Sequence, residues 1–328
     1  MLGTFEGTGD MRIDFSRAIW RVAVGSLALG SLDVAFLRLS AYIAGRYSQR
    51  RRVYNGGDLV PIISFKTQYT PILTSLAQAT VLKAFWRMAV NHFTNNAEDS
   101  RVRHGIAAIY KVTAVQHGQA GYLELSQRCG AQGLFNHNQL SAHFATMRGV
   151  AIAEGDTLGI SIRLASELVQ GRYAMPGTTN PESPLARHEV GLLSQCRKVL
   201  DAVGNHRSEM FAHALLPRAM KIIQAIGHRM AYDAAVAAGV EKAMIDLYLW
   251  TTVRQDEAWY SENIGMPAEV QFEREDEVLS AALPFLDSWL EGTHVEPYVR
   301  APIVCESGWK KFVDGLALHG EDDVKTHL

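Results

Sequence analysis

Apolar residues recur every three or four positions along most of this chain, and almost no segment alternates with period two. That periodicity belongs to helices with one buried face, not to half-buried strands. Leu29, Leu32, Phe36, Leu39 and Ile43 trace one such stripe. Gly25, Ala28, Gly30 and Ala35 beside it are small enough to admit a close helix contact. The run Asn55-Gly56-Gly57-Asp58 ends this first helix. A second pattern covers 62–93, with a kink or restart expected at Pro71. Residues 95–100 read as loop and cap, and a third helix is predicted over about 101–128. Residues 130–138 are loop, a short helix follows at about 139–147, and another begins near Glu154.

Pro176, Gly177, Pro181, Glu182, Ser183 and Pro184 mark a linker. Helical patterns resume at about 186–203, 207–238, 240–260 and 268–290, followed by an irregular tail. The expected fold is all-α, two consecutive helical bundles over 1–175 and 186–328 joined by 176–185. A chain of 328 residues is long enough for both.

Composition narrows the partners more than the fold. Thirty-two basic against 34 acidic residues leave no global field to attract nucleic acid or a membrane surface. Cys129, Cys196 and Cys305 have no paired or metal-like spacing, so a disulfide scaffold is not expected. The apolar run 22–37 is interrupted by Asp33 and bounded by Arg21 and Arg38, and reads as a buried helix too short to span a bilayer. Glu6, Asp10 and Asp14 precede it, unlike a secretory signal. Thr326-His327-Leu328 is only faintly similar to a peroxisomal address, and a cytoplasmic location is expected. His206, Glu209 and His213 would share one helical face, but no Glu-x-x-His partner accompanies them, and no metal is predicted.

Three segments remain as candidate chemistry. Arg46, Arg50, Arg51 and Arg52 crowd the end of the first long helix, where cations also suit exposed carbonyls. The segment from Ser126 to Leu134 contains Gly130 and Gly133, and would let backbone approach a ligand. Glu154 follows the apolar Val150, Ala151, Ile152 and Ala153; by position it is either a helix N-terminal acid or a desolvated general base.

Arg46-Tyr47-Ser48-Gln49-Arg50-Arg51-Arg52-Val53-Tyr54, Cys129-Gly130-Ala131 and Glu154-Gly155-Asp156 together resemble the C-terminal half of the acyl-CoA oxidase and acyl-CoA dehydrogenase superfamily. The likeness begins near Phe15 and is clear to about Gly171. It implies that Glu154 removes the α-proton of an acyl thioester while a hydride passes from the β-carbon to FAD. It implies that Arg51 holds the FAD pyrophosphate, that Tyr54 stands for the Phe that packs on the cofactor, and that Gln127, Gly130 and Ala131 contact FAD, commonly that of a neighbouring subunit. Asp156 takes the place where oxidases carry an acid, and is placed with the cofactor contacts on the oxidase side. Val53, Asn55, Ala131, Leu134 and Thr157 depart from the family pattern.

In that family a helical domain and a small β domain precede this region, and no strand-rich segment precedes it here. The resemblance therefore implies a split oxidoreductase: a separate chain carries the N-terminal and β domains and joins this one in a hetero-oligomer acting on acyl-CoA or an acyl carrier protein. The alternative is a non-catalytic helical subunit that completes a partner's FAD site. A third possibility is a helical scaffold unrelated to flavin.

Overall fold

Residues 7–317 are described in this computed structural model; Glu6 and Thr326-His327-Leu328 fall outside them. Helix α1 (Met11–Ala18) leads into α2 (Trp20–Arg50). A two-stranded antiparallel ribbon follows, β1 (Arg52–Asn55) and β2 (Asp58–Pro61). The first half then continues through α3 (Lys66–Thr94), α4 (Ser100–Arg128), α5 (Leu140–Ile152) and α6 (Thr157–Val169). The second half holds α7 (Pro184–Val203), α8 (Glu209–Leu215), α9 (Ala219–Ala237), α10 (Lys242–Val253), α11 (Glu257–Ile264), α12 (Ala268–Ala282), α13 (Leu286–Gly292) and α14 (Glu306–Asp314). The all-α expectation holds, with the ribbon as its one addition among the described residues. Asn55-Gly56-Gly57-Asp58 does more than end a helix. Gly56 and Gly57 have φ of 61° and 100°, as a tight two-residue hairpin turn requires, and Asn55 pairs with Asp58.

Helices α2, α3 and α4 pack on one another along their lengths and form the centre of the first half. Leu37, Ile43, Ile72, Leu73, Leu82, Phe85, Ile106, Ile109 and Tyr110 are fully buried between them. Each such large side chain contributes about 1.5–3 kcal/mol relative to an exposed one. Helix α9 packs on α3, α4, α6 and α7, and one hydrophobic cluster runs through both halves.

Several expected boundaries move for local reasons. Pro71 lies inside α3 without breaking it. Its missing N–H would have bonded the Thr67 carbonyl, which instead accepts from Arg128 Nη1 at 3.2 Å. The pattern at 207–238 divides at the 3₁₀ turn Leu216–Arg218 around Pro217, and 268–290 divides at Leu283–Phe285 around Pro284. That at 240–260 divides at Arg254–Asp256, and α14 lies in the tail expected to be irregular. His206 precedes Ser208, the N-cap of α8, so it does not share a helical face with Glu209 and His213. The run 22–37 belongs to a helix of 31 residues, long and apolar enough by length and composition to cross a membrane; less than half of its most apolar stretch is buried. Val24, Ala28, Leu32 and Ala35 form its exposed stripe.

Asp33 is wholly buried on the opposite face of α2. Tyr122 Oη donates to its backbone carbonyl at 2.5 Å, and Oδ2 has no hydrogen-bond partner among the described residues. Burial pushes this carboxyl up to about 7, against smaller lowering effects of Tyr122 and Lys111. The folded protein therefore keeps a proton that the unfolded chain releases above about pH 4. Its contribution is full below that pH and is lost as the pH rises through 7. Asp33→Asn should match the parent in stability near pH 4 and exceed it by a few kcal/mol above pH 7, at about 1.4 kcal/mol per unit. Thermal melts of both proteins across that range measure the difference, which should level off above pH 7.

Candidate functional site

The C-terminal end of α2 opens into a cavity. Helix geometry stops at Arg50, and Arg51 is extended, with φ of −67° and ψ of 126°. The Arg51 N–H still bonds Tyr47 O at 2.8 Å, while its carbonyl accepts from Ile62 N at the base of the ribbon. Beside this corner, α4 ends and Gly130 turns the chain with φ of 57°. Gln68 pins that end, donating to Arg128 O at 2.8 Å and to Ser48 Oγ at 2.7 Å. The cavity holds about 700 Å³, with Tyr47, Arg51, Gly130, Ala131 and Gln132 on one side and Glu306 and Trp309 of α14 on the other.

The four arginines divide their tasks. Arg46 pairs with Asp287 at 3.4 Å, and Arg50 pairs with Glu306 at 2.8 Å and lies over the Trp309 ring. Arg52 donates to Leu59 O across the ribbon at 3.2 Å. The Arg51 guanidinium makes no hydrogen bond or ion pair among the described residues, although the residue lines the cavity. Its five N–H donors remain available in a planar fork suited to phosphate oxygens. Cys129 in the same wall is buried, which pushes its thiol up to about 12 and leaves it a poor nucleophile.

Glu154 lies elsewhere. Helix α5 ends at Ile152, and α6 starts only at Thr157, capped by Asp156. Asp156 Oδ1 accepts from the amides of Leu158 and Gly159, both at 3.0 Å. The expected helix start at Glu154 is thus three residues early, because Asp156 supplies the cap. Glu154 occupies the intervening turn with φ of 54°, followed by Gly155 at 96°. Its side chain lies against Gly25 of α2, where an added Cβ would stand 2.6 Å from Glu154 Cγ. Arg21 Nη1, one turn earlier on α2, donates to Oε1 at 2.6 Å. The carboxylate is 21% exposed and ion-paired, so the expected apolar enclosure is not what surrounds it. Ile152, Leu158 and Val24 instead form an exposed apolar rim, 67%, 47% and 47% accessible. Lys111 reaches the same turn from below and donates to Gly155 O at 2.6 Å. Burial lowers its ammonium from the usual range, opposed by Asp156, Asp33 and Glu154.

The structure therefore brings Arg51, Gly130 and Ala131 together and leaves Glu154 and Asp156 at the other end of α2. Gln127 is exposed at the end of α4 but does not line the cavity. Tyr54 is 80% exposed on the ribbon, and its cross-strand partner Leu59 is the residue that reaches the cavity wall. Sequence reasoning missed Arg21, Gly25 and Lys111 around Glu154, and Trp309 in the cavity. Gly133 was visible in its motif, but its reason was not: a Cβ there would lie 2.0 Å from Ser126 O.

Comparison with known proteins bears on both ends of α2. Residues 28–169 match the acyl-CoA oxidase C-alpha1 domain. The chain is similar in structure to Arabidopsis thaliana acyl-CoA oxidase 1, with a TM-score of 0.78 at 15% identity, over 95% of this chain and 56% of that one. Yarrowia lipolytica acyl-CoA oxidase 1 gives 0.77 at 14%, over 89% and 53%. Caenorhabditis elegans acyl-CoA oxidase 2, solved with FAD, ascaroside-CoA and ATP, gives 0.77 at 14%, over 95% and 54%. This chain thus spans a little over half the length of the enzymes it matches. The chain thus carries the C-terminal helical fold of acyl-CoA oxidases, and its residues 28–169 match their C-alpha1 domain.

Proposed function

We propose that this chain is a subunit of a split flavin-dependent acyl-thioester oxidase or dehydrogenase, with Glu154 as the base that takes the α-proton. The observation that carries the proposal is the pair of complementary half-sites on α2: a carboxylate in an apolar rim at one end and an unpartnered guanidinium in a cavity at the other. The cavity residues fit a dinucleotide pyrophosphate. Arg51 would hold phosphate oxygens, and the positive φ at Gly130 allows close backbone approach beside Ala131. The chemistry supplied by bound FAD is acceptance of the β-hydride and, in the oxidase branch, reduction of oxygen to hydrogen peroxide. Glu154 takes the proton from the α-carbon, the α,β double bond forms, and Ile152, Leu158 and Val24 offer apolar surface to the acyl chain of a CoA or carrier-protein thioester.

The two half-sites cannot serve one cofactor within one chain. From Gly25 to Arg51 a helix rises roughly 40 Å at about 1.5 Å per residue. The ribityl link between flavin and pyrophosphate extends only about 8 Å, at roughly 3.5 Å per three bonds. A complete site on this reading joins Glu154 of one copy to Arg51 of another, with a separate chain contributing the N-terminal and β domains. The exposed stripe Val24, Ala28, Leu32 and Ala35 beside Glu154 offers apolar surface for that association.

Co-purification with a chain carrying those domains tests the proposal. A stable complex with bound-flavin absorption, bleached anaerobically by acyl-CoA, is the expected result. A colourless complex, or none, would remove the flavin reading. The pairing of Glu154 with Arg21 favours a second reading, a non-catalytic subunit that only completes a partner's FAD site, since the ion pair occupies one of the two carboxylate oxygens. Gly25→Ala bears on this choice. The added methyl must displace the Glu154 side chain, while Ala suits a helix better than Gly by up to about 1 kcal/mol. If Glu154 is the base, the reconstituted complex should lose tenfold or more in turnover with no fall in melting temperature.

A further inference from the structure

Lys111 is wholly buried within α4, and nothing in the flavin reading assigns it a task. Its Nζ donates to Ala153 O at 2.5 Å and to Gly155 O at 2.6 Å, the carbonyls on either side of Glu154. Residue 154 has a left-handed backbone without being glycine, at φ of 54°. Such a conformation is unfavourable for a side-chain-bearing residue and persists where surrounding contacts impose it. Two converging carbonyls need a donor that is not itself an acceptor, and an ammonium with three N–H groups meets that need. Among the described residues, no carboxylate oxygen lies within hydrogen-bond distance of this Nζ.

The opposite side of the turn is equally defined. Glu154 leaves the backbone over Gly25, and Arg21 binds its carboxylate. Lys111 therefore fixes the peptide frame from inside, while α2 defines where the side chain can go. We infer that Lys111 is a positioning residue: its ammonium clamps the carbonyls of Ala153 and Gly155 and so sets the direction in which Glu154 presents its carboxylate. It touches neither the reacting atoms nor the cavity at Arg51, and acts only through Glu154.

This inference rests on the flavin reading for its effect on turnover, but the clamp can be measured without it. Hydrogen exchange in the full chain should show faster exchange of the 154–157 amides in Lys111→Met than in the parent, with α2 and α3 unchanged. In the reconstituted complex kcat should fall about a hundredfold, the cost of displacing a reacting group by about 1 Å. KM for the acyl thioester and the FAD content should stay within twofold. Lys111→Arg retains a cationic donor and should recover part of both the exchange protection and kcat. Unchanged exchange at 154–157 in Lys111→Met would overturn the clamp. So would a matched loss of FAD and rise in KM, or global unfolding of Lys111→Met and Lys111→Arg alike, since these assign Lys111 to packing. Full turnover by a Glu154→Gln complex would instead remove Glu154 as the base while leaving the exchange result standing.

Discussion

Glu154→Gln should lower turnover by about 10²–10⁴-fold, the usual worth of a positioned general base, while flavin content and the thermal melt stay as in the parent complex. The amide keeps the size of the carboxylate and an oxygen for Arg21, but cannot take the α-proton. Little stability is at stake, because the partner in the ion pair, Arg21, is 78% exposed and such pairs contribute at most about 1 kcal/mol. The substitution also leaves the strained turn in place, since Lys111 binds the flanking carbonyls and not the side chain. Anaerobic mixing with acyl-CoA reads the step directly: flavin bleaching should become slow while binding is retained. Undiminished bleaching would pass the catalytic role to the partner chain and leave this subunit the task of completing the cofactor site.

How much of this was legible in the sequence depends on the range of the forces involved. The start of α4 was legible because Asp99 caps it locally, accepting from Arg101 N. The same kind of signal existed at Asp156, yet the apolar run before Glu154 drew the expected start three residues upstream. Pro71 misled because the carbonyl it orphans finds Arg128, a residue distant in sequence. The arginine cluster was visible as a cluster. Which member stays free was not, since that depends on Asp287 and Glu306 folding back from the far end of the chain. Lys111 carried no signal at all. Between Tyr110 and Val112 it passes for a surface residue of a helix, and its burial comes from α2 at Gly30 and from residues 153–155 returning over α4.

The separation of the half-sites makes the second large prediction, an effect on mixing two dead proteins. Arg51→Ala removes the unpartnered guanidinium from the cavity, and Glu154→Gln removes the base; complexes containing only one variant should be inactive. If each site joins Glu154 of one copy to Arg51 of another, a pair of unlike copies builds one site from two wild-type residues and one from two substituted residues. Random exchange in a two-fold symmetric assembly yields half unlike pairs, each with one working site of two, or about a quarter of parental activity. The recovered activity should carry parental KM, because the restored site contains no substituted residue. Should one chain supply both groups to the same cofactor, every site would retain one lesion and mixing would recover nothing. The roughly 40 Å between Gly25 and Arg51 along α2 argues for recovery. Refolding or co-expressing the two variants with the partner chain, and assaying the mixture against each alone, decides between these geometries.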